Sequence, residues 1–277
     1  MKPLALSEMA WLYKLRRFHE LKSHLLRFIK APLHGGEYSR YAEYRAVSNG
    51  IAFAPPARLL DVGAGKSIFP WLLAKRGFSI TTIDKDPNEL QRGRDLASSV
   101  GMGDFLRDGC LQYQLADATN LPFEDASYEA AYAVSALDHL EGKGDTQAVH
   151  EMARVVKPNG RVIISVPFGK FPEESPQTWR IHYFERTYDY ASLHTRIIRP
   201  SSLDLLNITY LGEWFGTDAP FFRWSQTTHP ILRSAISCFA PLTAASFFRT
   251  LSVDAEHKAV VAVITLKKSA TPSTTSN

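Results

Sequence analysis

From residue 58 the chain alternates short apolar runs with helical patterns, and no other feature narrows the choice of fold as far. Segments 58–62, 79–84, 113–116, 128–134 and 161–166 read as strands, rich in β-branched and aliphatic residues. Helical patterns separate them at 68–76, 87–98 and 144–156. Ser67 is placed to cap the first, Pro70 lies in its first turn, and Gly77 stops it. Pro158-Asn159-Gly160 reads as a turn before the fifth strand. Strands that are apolar at nearly every inner position and alternate with helices form a parallel sheet covered on both faces. Right-handed crossovers then give a doubly wound α/β fold, whose ligands bind at the carboxyl ends of the strands where strand order reverses. A sixth strand is expected near 208–215 and an antiparallel seventh near 259–267. The expected sheet is thus seven-stranded and mostly parallel with an antiparallel last strand, accompanied by an N-terminal helix and insertions after strands 5 and 6.

Composition removes several classes. The chain has 277 residues, 45% hydrophobic and 22% charged, which excludes a fully disordered chain, a collagen or a coiled coil. Its two cysteines, Cys110 and Cys238, form no CxxC pair, so a zinc ribbon or a thioredoxin-like site is excluded. Charged residues Lys14, Arg16, Arg17 and Lys22 break the apolar run a secretory signal needs, and the uncharged stretch 234–248 is too short to span a bilayer. We therefore expect a soluble, cytoplasmic protein without a transmembrane segment. Residues 1–45 carry an amphipathic basic helix on Trp11, Leu15, Phe18, Leu25 and Ile29. It reads as a helix packed on the domain, a peripheral membrane contact or a lid. Residues 46–268 form the main domain, with insertions at about 169–200 and 217–256, and 269–277 read as a disordered tail.

The sharpest chemical signal is Asp61-Val62-Gly63-Ala64-Gly65-Lys66-Ser67, directly after a strand and before a helix. The two glycines let the backbone turn tightly and approach a ligand. A dinucleotide fingerprint needs glycine or alanine where Ile68 stands, and a phosphate loop needs four residues between its glycines. An acidic residue two positions before the first glycine repels a pyrophosphate and suits a ligand carrying a positive amino group.

These residues resemble motif I of the class I S-adenosylmethionine-dependent methyltransferases with a type 11-like core, although Ser67 stands where a third glycine is usual. The resemblance extends to Asp84 at the end of the second strand, to Leu115-Ala116-Asp117-Ala118-Thr119, to Val134-Ser135-Ala136-Leu137-Asp138-His139, and to Lys157-Pro158-Asn159-Gly160. It covers 58–167 well and the flanks poorly. It implies S-adenosylmethionine as cofactor. Asp61, Gly63, Ala64, Gly65 and Lys85 are then assigned to the cofactor site, Asp84 to the ribose hydroxyls, Asp117 and Ala118 to the adenine, and Ser135 to the cofactor site beside the transfer point. The segment 34–41, rich in glycine and tyrosine, reads either as a lid over the methionine end, with Tyr41 as its aromatic cap, or as a fixed linker.

Methyl transfer from a sulfonium needs orientation and exclusion of water, and orientation alone supplies about 7–11 kcal/mol of such a barrier. No metal or nucleophile is required. His139, at the carboxyl edge of the fourth strand, suits a general base, with Asp138 the competing candidate; packing and helix capping are the alternatives for His139. The acceptor is expected to be a small-molecule, lipid or saccharide compound, walled by Pro167-Phe168-Gly169 and by Trp179, Tyr183 and Phe184 of the insertion 171–190. The aromatic bulk of the insertions, Phe221, Phe222, Trp224, Phe239, Phe247 and Phe248 included, equally suits hidden core or a homodimer surface. Arg180, His182, Arg186, His194 and Arg196 suit an anionic acceptor or open water. Nucleic acid is an unlikely partner, because neither Asn/Asp-Pro-Pro-Tyr nor Pro-Cys occurs where such enzymes carry it. A non-catalytic binding or scaffold protein on the same fold is the alternative function.

Overall fold

In a computed structural model, residues 7–8, 36–170, 173–175, 184–214, 248–252 and 258–270 are described. The N-terminal helix on Trp11 to Ile29, the wall residues Trp179 and Tyr183, Arg180, His182, the aromatics from Phe221 to Phe247, and the tail beyond 270 lie outside them.

The first helix, α1 (Gly36–Gly50), occupies the segment read as lid or linker. β1 (Arg58–Val62) leads to α2 (Phe69–Lys75), β2 (Ser79–Asp84) to α3 (Pro87–Ala97). α3 continues through a π-helical turn (Ser98–Met102), kinked at Gly101, into the short α4 (Gly103–Arg107). β3 (Leu111–Leu115), β4 (Tyr128–Val134), α5 (Gly144–Val155) and β5 (Val156–Pro167) complete the first half. Then come β6 (Glu173–Ser175) and β7 (Glu185–Thr187), followed by α6 (Tyr190–Leu193), which runs on through His194–Ile198 into α7 (Arg199–Ser201). β8 (Asp204–Glu213), β9 (Phe248–Leu251) and β10 (Ala259–Lys267) end the described fold.

The main sheet runs β3-β2-β1-β4-β5-β10-β8-β9. The β3, β2, β1, β4 and β5 pairings are parallel, and β10 is antiparallel to both β5 and β8. That is the expected mixed sheet, with β8 as the sixth strand and β10 as the seventh. It gains an eighth, β9, antiparallel on the outer edge of β8. The sequence hides β9 because, only four residues long, it buries Phe248 and half-buries Leu251, with two exposed residues between them.

Alternation along each strand feeds two separate cores. Leu59, Ile80, Tyr132 and Ile163 face α1, α2 and α3, meeting Tyr44, Val47, Phe69, Trp71 and Leu73. Leu60, Ile83, Ala131, Val162 and Ile164 face the other side, meeting Ala148, Val149 and Met152 of α5 and Leu193 and Ile197. Both faces are therefore dry, which is why the strands read as continuous apolar runs.

Two local expectations are refined. Residue Ile68 occupies the cap position of α2 and makes no side-chain cap bond; Ser67, one residue earlier, accepts instead from the Phe69 N–H at 3.2 Å. The Pro158-Asn159-Gly160 turn lies within β5, because Val156 already pairs with Tyr128 and the turn is absorbed as a register shift before Ala130 meets Arg161. Asn159 takes a left-handed φ of 63° there.

Candidate functional site

Strand order reverses between β1 and β4, and a cleft opens at their carboxyl ends. Its lining joins Gly63 after β1, Asp84 and Lys85 after β2, Asp117 and Ala118 after β3, and Ser135, Leu137 and His139 after β4.

The floor is open because no side chain fits there. Gly63 has φ +72°, and a Cβ on it would lie 2.5 Å from the Ala136 Cβ. The loop is pinned to β2, since the N–H groups of Gly63 and Ala64 both donate to the Ile83 carbonyl, at 2.9 and 3.1 Å. Gly65, at φ +47°, donates its N–H to Asp84 Oδ2 at 3.0 Å. Beneath it α3 comes so close that a Cβ on Gly93 would lie 2.5 Å from the Gly65 carbonyl oxygen.

The Asp84 carboxylate also accepts from the Asp86 N–H through Oδ1, at 3.0 Å. Each oxygen thus has one protein donor and room for a second, so the half-buried group can receive two hydroxyls from a ligand. Asp117 stands exposed on the opposite side of the cleft. Its Oδ1 takes the Thr119 N–H and hydroxyl, both at 2.8 Å, and the bond from that N–H, first, and from the hydroxyl hold its pKa below the usual range. Oδ2 is left for another donor. Ala118 and Ala116 supply small faces beside it.

Asp61 is not part of the lining. Its carboxyl is buried behind the glycine loop, where Thr82 Oγ1 donates to Oδ2 at 3.1 Å. Burial pushes it up to about 8, with the Asp84 charge adding in the same direction. The buried Tyr132 hydroxyl faces the same carboxyl and pulls in the opposite direction. Tyr41 is likewise drawn away from the cleft, into the core edge-to-face with Tyr44 at 6.4 Å.

His139 and Asp138 lie on a 3-10 turn (Leu137–His139) after β4. Asp138 is buried, its Oδ1 without a hydrogen-bond partner, and burial pushes it up to about 6 against the opposing pull of His139 and Arg40. His139 is about one-third exposed, with Nε2 3.5 Å from Asp138 Oδ2 and Nδ1 2.9 Å from the Phe184 carbonyl oxygen. Pro167-Phe168-Gly169 is tied to the residue just after β7: Tyr188 N–H donates to Pro167 O at 3.0 Å and Gly169 N–H to Tyr188 O at 2.8 Å.

Two expected cation sites are committed elsewhere. Arg186 and Arg196 neither face a ligand nor lie in open water. Both bind Asp145, which is fully buried at the start of α5: Arg186 Nη1 donates to Oδ2 at 3.0 Å and Arg196 Nε to Oδ2 at 2.7 Å. The Tyr188 hydroxyl adds a bond to the same oxygen at 2.8 Å. His194 lies tilted at 49° against the Tyr190 ring, 4.5 Å between centroids.

Sequence reasoning missed the contribution of α1. The buried Glu43 carboxylate accepts hydroxyls from Ser39, Ser135 and Ser165, and Arg40 Nη1 donates to the Val134 carbonyl at 2.9 Å. The signal was there: Ser39, Glu43 and Val47 recur every four residues and all face inward. Among the described residues no cluster fit for a metal ion occurs and no helix is long and apolar enough to cross a membrane.

Comparison with known proteins places this geometry. Residues 60–164 match the family described as a methyltransferase domain. A methyltransferase, GfsG of Streptomyces halstedii, is 28% identical over 56% of this chain and 56% of its own. The O-methyltransferase resE of Aspergillus sclerotiorum is 30% identical over 44% of each chain. The chain thus spans about half the length of these curated relatives. A geranyl diphosphate C-methyltransferase of Streptomyces coelicolor, solved with S-adenosyl-L-homocysteine, shares the fold at a TM-score of 0.54, 13% identity and coverage of 82% of this chain and 77% of its own. Residues 60–164, which hold the glycine loop, the switch-point cleft and the parallel half of the sheet, are thus similar in sequence to the methyltransferase domain family.

Proposed function

We propose that the chain is a working methyltransferase that uses S-adenosylmethionine and acts on a small or medium organic acceptor, with 46–268 as its catalytic domain. One observation carries the reading: the Gly63 loop, Asp84, Asp117 and His139 converge on a single cleft at the switch point. When bound, the cofactor supplies a methyl group already activated on a sulfonium. Asp84 receives the two ribose hydroxyls, beside Lys85 at the rim. Asp117 Oδ2 accepts from the adenine amino group, and Ala118 packs beside the ring. Gly63, Ala64, Gly65 and the Ser135 turn approach the methionine end. Asp61 braces the loop from behind through its bond with Thr82, and Tyr41 acts through its packing in α1. His139 takes the acceptor's proton, Asp138 steadies the resulting imidazolium, and the insertion after β5 excludes water. The base favours an oxygen acceptor, as the name of the resE relative also suggests.

Calorimetry with S-adenosylmethionine and S-adenosylhomocysteine tests the reading, and no binding at millimolar ligand rejects it. Asp84→Ala should weaken binding by about 1–3 kcal/mol. Once an acceptor is found by screening, His139→Ala should lower turnover by about 10²-fold or more while cofactor affinity holds. Loss of both together makes His139 a structural residue.

A further inference from the structure

His139 touches two parts of the chain that sequence keeps apart, its neighbour Asp138 and the backbone of Phe184 in the insertion after β5. The Phe184 contact is with a carbonyl oxygen, which can only accept, so Nδ1 must carry a proton. In the neutral ring this puts the lone pair on Nε2, the nitrogen beside Asp138.

We propose that the Phe184 carbonyl is a positioning group: it holds neutral His139 in the Nδ1–H form, so that Nε2 is the atom that takes the acceptor's proton. This rests on the methyltransferase reading and on His139 as its base. When the proton leaves the acceptor for Nε2, Nδ1–H still donates to Phe184 and the Asp138 carboxylate, 3.5 Å from Nε2, offsets the positive charge of the ring.

The backbone that delivers Phe184 is itself fixed. Arg186, two residues on and buried, donates to the Leu140 carbonyl at 3.0 Å, to Asp145 at 3.0 Å and to the Gly142 carbonyl at 3.2 Å. Its guanidinium also lies 4.9 Å from the centre of the Phe184 ring. The loop it grips is the one that leaves His139. One clamp therefore holds both the backbone that carries the Phe184 carbonyl and the loop that leaves His139.

The test is long-range proton–nitrogen NMR on the full chain labelled with ¹⁵N-histidine, free and with S-adenosylhomocysteine, at a pH where the ring is neutral. His139→Gln identifies the signal by its loss. The expected spectrum shows a protonated Nδ1 and a bare Nε2; the reverse pattern overturns the proposal. Arg186→Lys should raise hydrogen exchange across 184–188 and move the ring toward a mixture of tautomers, with S-adenosylhomocysteine affinity retained. An unchanged tautomer despite raised exchange overturns the coupling to the clamp. If Arg186→Lys does not fold, the wild-type spectrum decides alone. Absence of S-adenosylhomocysteine binding would sink the methyltransferase reading, while the ligand-free spectrum still reports on the tautomer.

Discussion

The Glu43 carboxylate accepts the Ser135 hydroxyl at 2.7 Å and so ties the middle of α1 to the turn that leaves β4. The same oxygen takes the Ser165 hydroxyl at 2.8 Å, and Oε1 takes Ser39 at 2.8 Å. Ser135 itself is held at a φ of 41°, outside the range a serine prefers. Glu43→Ala strands buried hydroxyls and should cost about 1–3 kcal/mol in urea unfolding, with Glu43→Gln milder. The alanine variant should also lose cofactor affinity, because the Ser135 turn is freed. An alanine variant as stable as the parent would remove the network from the argument.

Gly93→Ala addresses the glycine loop from below. The new methyl would press on the Gly65 carbonyl, and backbone cannot swing aside as a flexible side chain does. We expect a folded protein, by circular dichroism, whose S-adenosylhomocysteine affinity falls by at least about tenfold, or 1.4 kcal/mol. Unchanged affinity would mean that the loop tolerates displacement.

Stability should depend on pH through Asp61. Its folded pKa is raised from 3.8 to about 8, mainly by burial. Between those values the folded protein keeps a proton that the unfolded chain releases. Stability is therefore full below the lower value and falls as pH rises through the window, by up to about 1.4 kcal/mol per pH unit. Asp138 acts in the same direction but only to about 6. Urea unfolding of the cofactor-free protein between pH 6 and 8 should thus show a decline that Asp61→Asn flattens. An equally steep decline in the variant would exclude Asp61 as its source.

Asp145→Ala should be the most damaging single change here. It leaves the buried Arg186 with only the exposed Glu174 carboxylate, at 2.9 Å, and breaking a buried ion pair from one side costs about 3–5 kcal/mol. The urea midpoint should drop accordingly, with hydrogen exchange rising first in 185–198. A loss below 1 kcal/mol would mean that Glu174 and the Leu140 and Gly142 carbonyls suffice for the arginine.

The sheet and its cleft were readable because they rest on local rules. Buried strands must be apolar, a loop crowding Ala136 must have glycine at 63, and Asp84 must follow β2 to reach the Gly65 N–H. What escaped depends on partners distant in sequence. Arg186 and Arg196 look like any exposed cations until Asp145 is brought beneath them. Glu43 looks like a surface acid on a helix until Ser165, 122 residues away, meets it. Tyr41 has the composition of a cap, but its helical phase with Tyr44 turns it inward. The strand β9 is too short to leave a period.

The Asp145 carboxylate has a consequence for how such chains diversify. Both arginines that grip it arrive from within the insertion after β5, while the carboxylate belongs to the conventional core. The insertion therefore behaves as a plug-in cassette with its own fastener. A foreign segment of different length, grafted with its arginine pair intact, would dock on the same socket without any change to the strands. The sequence of this segment can then drift at little risk to the folding of the sheet.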